Sequence, residues 1–387
     1  MRVVSFAKVE DIPAASWDAI APADFFFQRS FLRVMQESGV EQARYRYVML
    51  LEDDAPVGLA VLSAFSLKLD LLASDPWIRR VRQWLPSLLD VPIVCCGIPA
   101  SYGQHHVHLV RPDLAHDAVH QVHRCMNDWA EEEGCGMVFW KEWNPRQSAY
   151  APIRDAGYVA LPTLADHRVR RIAGDVDAFL GSLRSPYRRK YRPATALMRK
   201  SGPIRVAGEL CLEESQFGPD HVTAFYDGYV KVMSRTRVRL ETYPAAFFHG
   251  LARSSMDVRI LRLTHSENHE SLAALLFASG PVLTFALVSK ERAHYQASLY
   301  TTLLQCIVLY GIDNGFSEVR LGQTSSHAKC SIGAEPWRLE TLIRMKAPWK
   351  HGLLERFGTL LFPETDTPRF SVFRETHIGA AHVAHVS

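Results

Sequence analysis

Apolar and polar positions follow two rhythms along this chain, and the rhythms recur in the same order in each half. In the first half, YRYVMLLEDDAPVGLAVLSAF (Tyr45 to Phe65) sets two β-rich runs around an acidic turn with Pro and Gly, which predicts a hairpin. Leu114, Val119, Val122, Met126 and Trp129 then recur near helical spacing, predicting a helix that ends at Gly134. MVFWKEW (Met137 to Trp143) reads as a strand opening into the polar NPRQ. In the second half, VRILRLTHSENHESLAALLFASGPVLTFALVSK predicts a meander of strands, Ala297 to Asn314 an apolar helix stopped by Gly315, and SEVRLGQTSS a strand opening into polar residues.

A shared order of hairpin, helix, strand and polar mouth is what a tandem repeat of one α/β unit produces. The expected division is residues 1–165, residues 166–346 and a C-terminal extension, residues 347–387, with the junction near Pro162 to Gly174, within LPTLADHRVRRIAGD (Leu161 to Asp175). The length of 387 residues suits two domains.

Composition narrows the class. With 48% hydrophobic and 22% charged residues the chain is globular rather than disordered. A net charge of +3 is too mild to argue nucleic-acid binding by itself. The seven cysteines sit mostly in apolar runs at irregular spacing, matching neither a disulfide framework nor a zinc pattern. They are expected to be reduced core residues of a cytoplasmic protein. MRVVSFAKVEDIP lacks the apolar segment of a signal peptide, and no window reaches the roughly 18 apolar residues of a membrane span.

Three stretches carry candidate chemistry. LGQTSSHAKCSIGA (Leu321 to Ala334) places Gln323, Thr324, Ser325, Ser326, His327 and Lys329 directly behind the strand SEVRL. Between Arg184 and Lys200, seven cations including Arg188, Arg189, Lys190 and Arg192 occur without an acidic residue, interleaved with Tyr187 and Tyr191. Such a run offers charge to phosphates and aromatic faces for stacking, and Pro193 is expected to limit or kink its helix. IPASYGQHHVH brings Gln104, His105, His106 and His108 together. On an extended segment His106 and His108 share a face that His105 does not, and no carboxylate or cysteine ligand stands near, which favours a loop lining a substrate groove over a metal site.

SLRSPYRRKYRPATALMRKSG (Ser182 to Gly202), FYDGYVKVMSRTRVRLETYPAAFF (Phe225 to Phe248) and LGQTSSHAKCSIGA, in that order, resemble segments of the Fem-like tandem GNAT-fold acyltransferases. The resemblance is good over roughly residues 160–345; the first half shares only the order of elements. It implies an α/β fold of two GNAT-type units, each a mixed twisted sheet flanked by helices, and transfer of an acyl or aminoacyl group to an amine. Fem members take the group from aminoacyl-tRNA, and relatives are thought to use acyl thioesters. The chain has neither an evident coiled-coil arm nor the R/Q-x-x-G-x-G/A pyrophosphate loop.

Acyl transfer to an amine needs a neutral nucleophile, a donor carbonyl at attack distance, and hydrogen-bond donors aimed at the developing oxyanion. The candidate catalytic residues are Lys329, which matches the family's lysine and could stabilise negative charge, Gln323, and His327 as the group suited to proton transfer near neutrality. A thiol mechanism through Cys330 and His327 lacks a third, orienting group. The candidate binding residues are Arg188, Arg189, Lys190, Arg192 and Tyr187 for a phosphate-bearing donor, with Gln104, His106, Glu142, Ser325 and Tyr295 along the groove. Strict alternation puts Glu142 on the face of Trp140, where it could take a proton from an incoming ammonium, whereas Trp140 and Trp143 equally suit plain packing. No tightly bound cofactor is expected: CoA, the phosphopantetheine thioester of a carrier protein, or charged tRNA would be a co-substrate, and a small amine or peptide the acceptor. An RNA-binding protein and a catalytically inactive scaffold of the same fold are the alternatives. The His351 to Phe362 stretch of the extension reads as amphipathic, and the final HIGAAHVAHVS as mobile.

Overall fold

The computed structural model describes residues 1–68, 90–100, 102–170, 174–234, 241–267, 269–291, 297–361 and 367–374. Tyr295 and the terminal HIGAAHVAHVS lie outside the described residues. The chain forms two compact units. One comprises Met1–Leu164, Thr236–Gly250 and Arg338–Thr365; the other comprises Ala165–Arg235, Leu251–Trp337 and Asp366–Ser387.

The first unit is built on strands β1 (Arg2–Phe6), β2 (Arg44–Glu52), β3 (Ala55–Lys68), β4 (Asp90–Cys96), β5 (Val107–Leu109), β6 (Met137–Trp143) and β7 (Val159–Pro162). The second holds β8 (Asp166–Val169), β9 (Ile204–Ala207), β10 (Leu210–Gln216), β11 (Val258–His265), β12 (Glu270–Ser279), β13 (Val282–Lys290), β14 (Glu318–Arg320) and β15 (Glu335–Trp337). The last strand, β16 (Glu340–Met345), returns to the first sheet. The orders are β1-β2-β3-β4-β6-β16-β7, with β5 on β3, and β15-β8-β14-β13-β12-β11-β10-β9.

The two sheets share one plan. In each, antiparallel strands lead to one parallel pair, β4 with β6 and β13 with β14, followed by two antiparallel strands. The helices Ala115–Glu132 and Ala297–Asp313 connect those parallel pairs, as a parallel crossover requires. Both end as their sequences predict, at glycines in the left-handed region, Gly134 (φ +65°) and Gly315 (φ +76°). The β2–β3 hairpin turns through Asp53 and Asp54, both at positive φ.

The expected tandem α/β plan is therefore the fold, but one strand, β16, lies elsewhere than a linear division places it, and another, β8, was hidden in the junction. LADHRVR, read as junction, contains β8, an inner strand of the second sheet between β15 and β14. β16, placed by that division at the end of the second unit, pairs with β6 and β7 in the first sheet. Asp166, His167 and Arg168 conceal β8 because their polarity imitates a loop. They are nevertheless buried, and Arg168 and Glu318 pair across β8 and β14 while Arg168 and Arg170 stack on Trp337 of β15.

In the second unit the core surrounds the helix Ala297–Asp313, whose Leu303, Leu304, Ile307, Val308 and Leu309 are all fully buried. At roughly 1.5–3 kcal/mol for each such side chain, this helix is the main apolar anchor of its sheet. It comes close enough to β14 that a Cβ on Gly311 would lie 2.4 Å from Val319 Cγ2.

Candidate functional site

The parallel pair of the second unit opens at one end. β13 and β14 pair from Val282 and Glu318 to Thr284 and Arg320, and there β14 stops while β13 runs on to Lys290. A bulge at Ala286 coincides with the divergence, since β12 pairs Leu276 with Phe285 and Leu275 with Leu287. The chain leaving β14 turns at Gly322 (φ +78°), passes the buried Gln323, and enters the helical turn Ser326–Ser331 through Ser325 at φ +61°.

That helical turn separates the expected catalytic residues. Lys329 points inward and is 2% exposed, whereas His327, two residues earlier on the helix, is exposed with its ring edge-on to Phe370 at 5.1 Å. Residues two apart on a helix face nearly opposite ways, so His327 does not join Lys329. Ser325 is exposed as well.

The Lys329 amine lies 6.0 Å from the Phe285 ring centroid and 3.7 Å from where a Gly322 Cβ would be. No hydrogen bond or ion pair reaches its Nζ among the described residues. Burial drives its pKa from 10.5 down to about 7, against an opposing pull from the Asp166 carboxylate. Burial also pushes the neighbouring Cys330 thiol up, which disfavours a thiolate.

Two residues that sequence reasoning assigned to a junction join this site. His167 Nδ1 donates to the Gly322 carbonyl at 2.9 Å, so its Nε2 bears the lone pair. That Nε2 is buried without a partner among the described residues, and burial lowers the ring's pKa. Asp166 is fully buried: Oδ2 accepts from Arg168 Nε at 2.6 Å, while Oδ1 has no partner among the described residues. Charged and imidazole side chains inside a seven-residue window were the available signal.

The basic run forms two short helices, Ser185–Lys190 and Arg192–Met198, with Pro193 in the first turn of the second. Arg188, Arg189, Lys190 and Arg192 are exposed, and none forms an ion pair among the described residues. Tyr187 is half-buried beneath Lys190, whose Nζ lies 5.5 Å from its ring centroid. Tyr191 is instead a core residue whose hydroxyl donates to the Ile332 carbonyl at 2.7 Å, tying the basic helices to the Lys329 turn. The extension adds a short strap here: Arg184 N donates to Val372 O at 2.9 Å and Arg374 N to Ser182 O at 3.0 Å.

The first-unit candidates form a closed cluster. Glu142 sits at φ +60° in a bulge where β16 pairs Glu340 with Trp143 but Leu342 with Trp140. The bulge breaks the expected alternation, so it is Trp143 that meets Trp140, with ring centroids 6.1 Å apart. The Glu142 carboxylate accepts from Gln104 N at 2.8 Å and pairs with Lys141 at 3.4 Å, and the Gln104 amide donates to Asp24. Glu142 is thus engaged by the protein rather than open to an incoming ammonium. His106 is buried beside Phe26 and Phe27, with both ring nitrogens unpartnered among the described residues and its pKa driven well below the usual range by burial. It is packed inside, not along a groove. His108 also meets Phe27, while His105 turns to Trp143 and Gln147, the facing that alternation predicts. Among the described residues no three His, Cys, Asp or Glu side chains are grouped to hold a metal, and no helix is long and apolar enough to cross a membrane.

No protein-family model matches this sequence, and no curated protein sequence does. Among solved structures the chain is similar to FemX, at TM-score 0.58 and 11% identity over 92% of this chain and all of that one (100%). A tandem GNAT protein from the clavulanic acid biosynthesis pathway aligns at TM-score 0.47 and 11% identity, over 90% of this chain and 99% of that one. L-PGS from Bacillus licheniformis aligns at 0.46 and 9%, over 87% and 96%. With its two like-ordered sheets, the chain has a tandem GNAT fold of the Fem-like kind.

Proposed function

We propose that this protein is an N-acyltransferase that moves an acyl or aminoacyl group from a phosphate-bearing donor to an amine. The observation that carries the reading is the buried, unpartnered Lys329 amine at the opening between β13 and β14. With a pKa near 7, its neutral form can take a proton from the acceptor's ammonium, and the freed amine then attacks the donor carbonyl carbon. The tetrahedral oxyanion would be met by donors around Gly322 and Gln323. The nitrogen of the tetrahedral intermediate loses its second proton to solvent, and collapse breaks the bond to the leaving thiolate or alkoxide, which takes up the proton held on Lys329 and leaves a neutral amide and a neutral lysine.

The exposed cations Arg188, Arg189, Lys190 and Arg192 support a donor carrying phosphate: CoA, a carrier protein's phosphopantetheine, or tRNA. The same unpaired cations favour a second reading, RNA binding without turnover. Native mass spectrometry of the purified protein against acyl-CoAs, acylated carrier protein and charged tRNA separates the readings. Retention of one donor class, followed by transfer to an amine with kcat/KM rising through about pH 7 and lost in Lys329→Ala, is expected. Retention of RNA alone, with no transfer, would give the second reading.

A further inference from the structure

We propose that the helix Pro348–Leu361 in the first unit seats this protein on an anionic membrane surface, lying in the headgroup layer rather than crossing it. Three large apolar side chains on this helix are left in solvent: Trp349 at 67% exposure, Leu353 at 49% and Phe357 at 41%. They are spaced four residues apart, so at about 100° per residue they form one continuous stripe about 80° wide. The stripe does not face the protein. Gly358 lies on the opposite side of the helix, where a Cβ would fall 2.7 Å from Leu161 of β7.

Charge completes the pattern. Arg356 falls about 20° outside one edge of the stripe and Lys350 about 20° outside the other. Both are exposed, and each leans over an aromatic ring of the stripe, Lys350 over Trp349 at 5.5 Å and Arg356 over Phe357 at 5.6 Å. The acidic Glu355 lies away from the stripe and pairs with His351 at 3.5 Å. An apolar strip with an indole and two bracketing cations, acid on the far side, fits an interface of acyl chains and anionic headgroups.

A second copy of the chain fits less well. Three partly exposed side chains offer roughly 300–400 Å², at most half of the ~800 Å² per partner of a stable dimer. A bilayer imposes no such minimum area.

The test is flotation of the full chain with vesicles of phosphatidylcholine alone or mixed with phosphatidylglycerol. Retention on the anionic vesicles, falling as salt rises, is expected. Lys350→Gln with Arg356→Gln should weaken it about 25-fold, taking ~5-fold for each interfacial cation. Trp349→Ser with Leu353→Ser should abolish it while the circular dichroism and melting of the protein stay unchanged, because these side chains are exposed. Equal retention on both vesicle types, no retention on either, or retention unaffected by these substitutions would overturn the proposal. So would a wild-type dimer in light scattering that the serine variant converts to monomer.

Discussion

Replacing Lys329 by Met should make the protein more stable and inactive, and the stability gain should depend on pH in a defined way. Lys329 is 2% exposed and its pKa falls from 10.5 to about 7 on folding. At ~1.4 kcal/mol per pH unit, this makes ~5 kcal/mol of stability forgone wherever the amine is protonated in both the folded and the unfolded chain. The sign follows from proton counting. Below pH 7 the amine is charged in both states and the full penalty applies. Between pH 7 and about 10.5 only the unfolded state holds the proton, so wild-type stability climbs with pH at up to ~1.4 kcal/mol per unit. Above that the penalty is gone. Met fills a similar volume without a charge, so Lys329→Met should exceed wild type by ~4 kcal/mol near pH 6.5 and approach it by pH 10. Urea unfolding of both proteins across that range, with hydrogen exchange in the helix Ala297–Asp313 to report on the second unit, measures the difference. A stability difference that does not change with pH would mean the amine is hydrated or paired in the folded state, and would remove Lys329 as the base.

Gly322→Ala forces a Cβ into φ +78° and should cost ~1–2 kcal/mol, with a larger loss in turnover than in donor affinity because the new methyl lies at contact distance from Lys329. Tyr191→Phe leaves the Ile332 carbonyl without its donor and should lower stability by ~1–2 kcal/mol in urea titration, loosening the Lys329 turn. Arg188→Ala, Arg189→Ala and Arg192→Ala combined should weaken donor binding at low salt and flatten its salt dependence; isothermal titration giving wild-type affinity at every salt concentration would remove the basic helices from the site.

Sequence periodicity reported whatever was local. The two crossover helices, their glycine ends, the acidic hairpin turn and β6 are all encoded within short windows, and each forms as expected. What escaped was fixed by distant partners. Asp166, His167 and Arg168 form a buried strand only because Glu318, Gly322 and Trp337 await them, 150 residues or more away in the chain. The pairing of β16 with β6 spans a similar gap, and no short window contains it. The outward turn of His327 depends on a single helical turn begun by a left-handed serine, and Glu142 escaped alternation through one bulge residue. Gln323, Lys329 and the exposed cations were legible as residues; which of them converge was not.

The two units also show why chemistry should fall to one of them. Each parallel pair is followed by a lysine near its open end, Lys141 in the first unit and Lys329 in the second. Lys141 is satisfied: its amine donates to the carbonyls of Ile98 at 3.2 Å, Pro99 at 3.3 Å and Ala100, and it pairs with Glu142. Those bonds fasten the Ile98–Ala100 segment across the end of the first sheet. Lys329 has the burial without the bonds. A lysine that closes a strand end stabilises, whereas one buried without a hydrogen bond or ion pair is costly and reactive. Lys141→Met should therefore destabilise the protein by ~3 kcal/mol, leaving Glu142 buried without its cation, and Lys329→Met should do the reverse. Opposite signs for one chemical change at these two lysines would mark Lys329 as the one held at a cost, and equal signs would end that distinction.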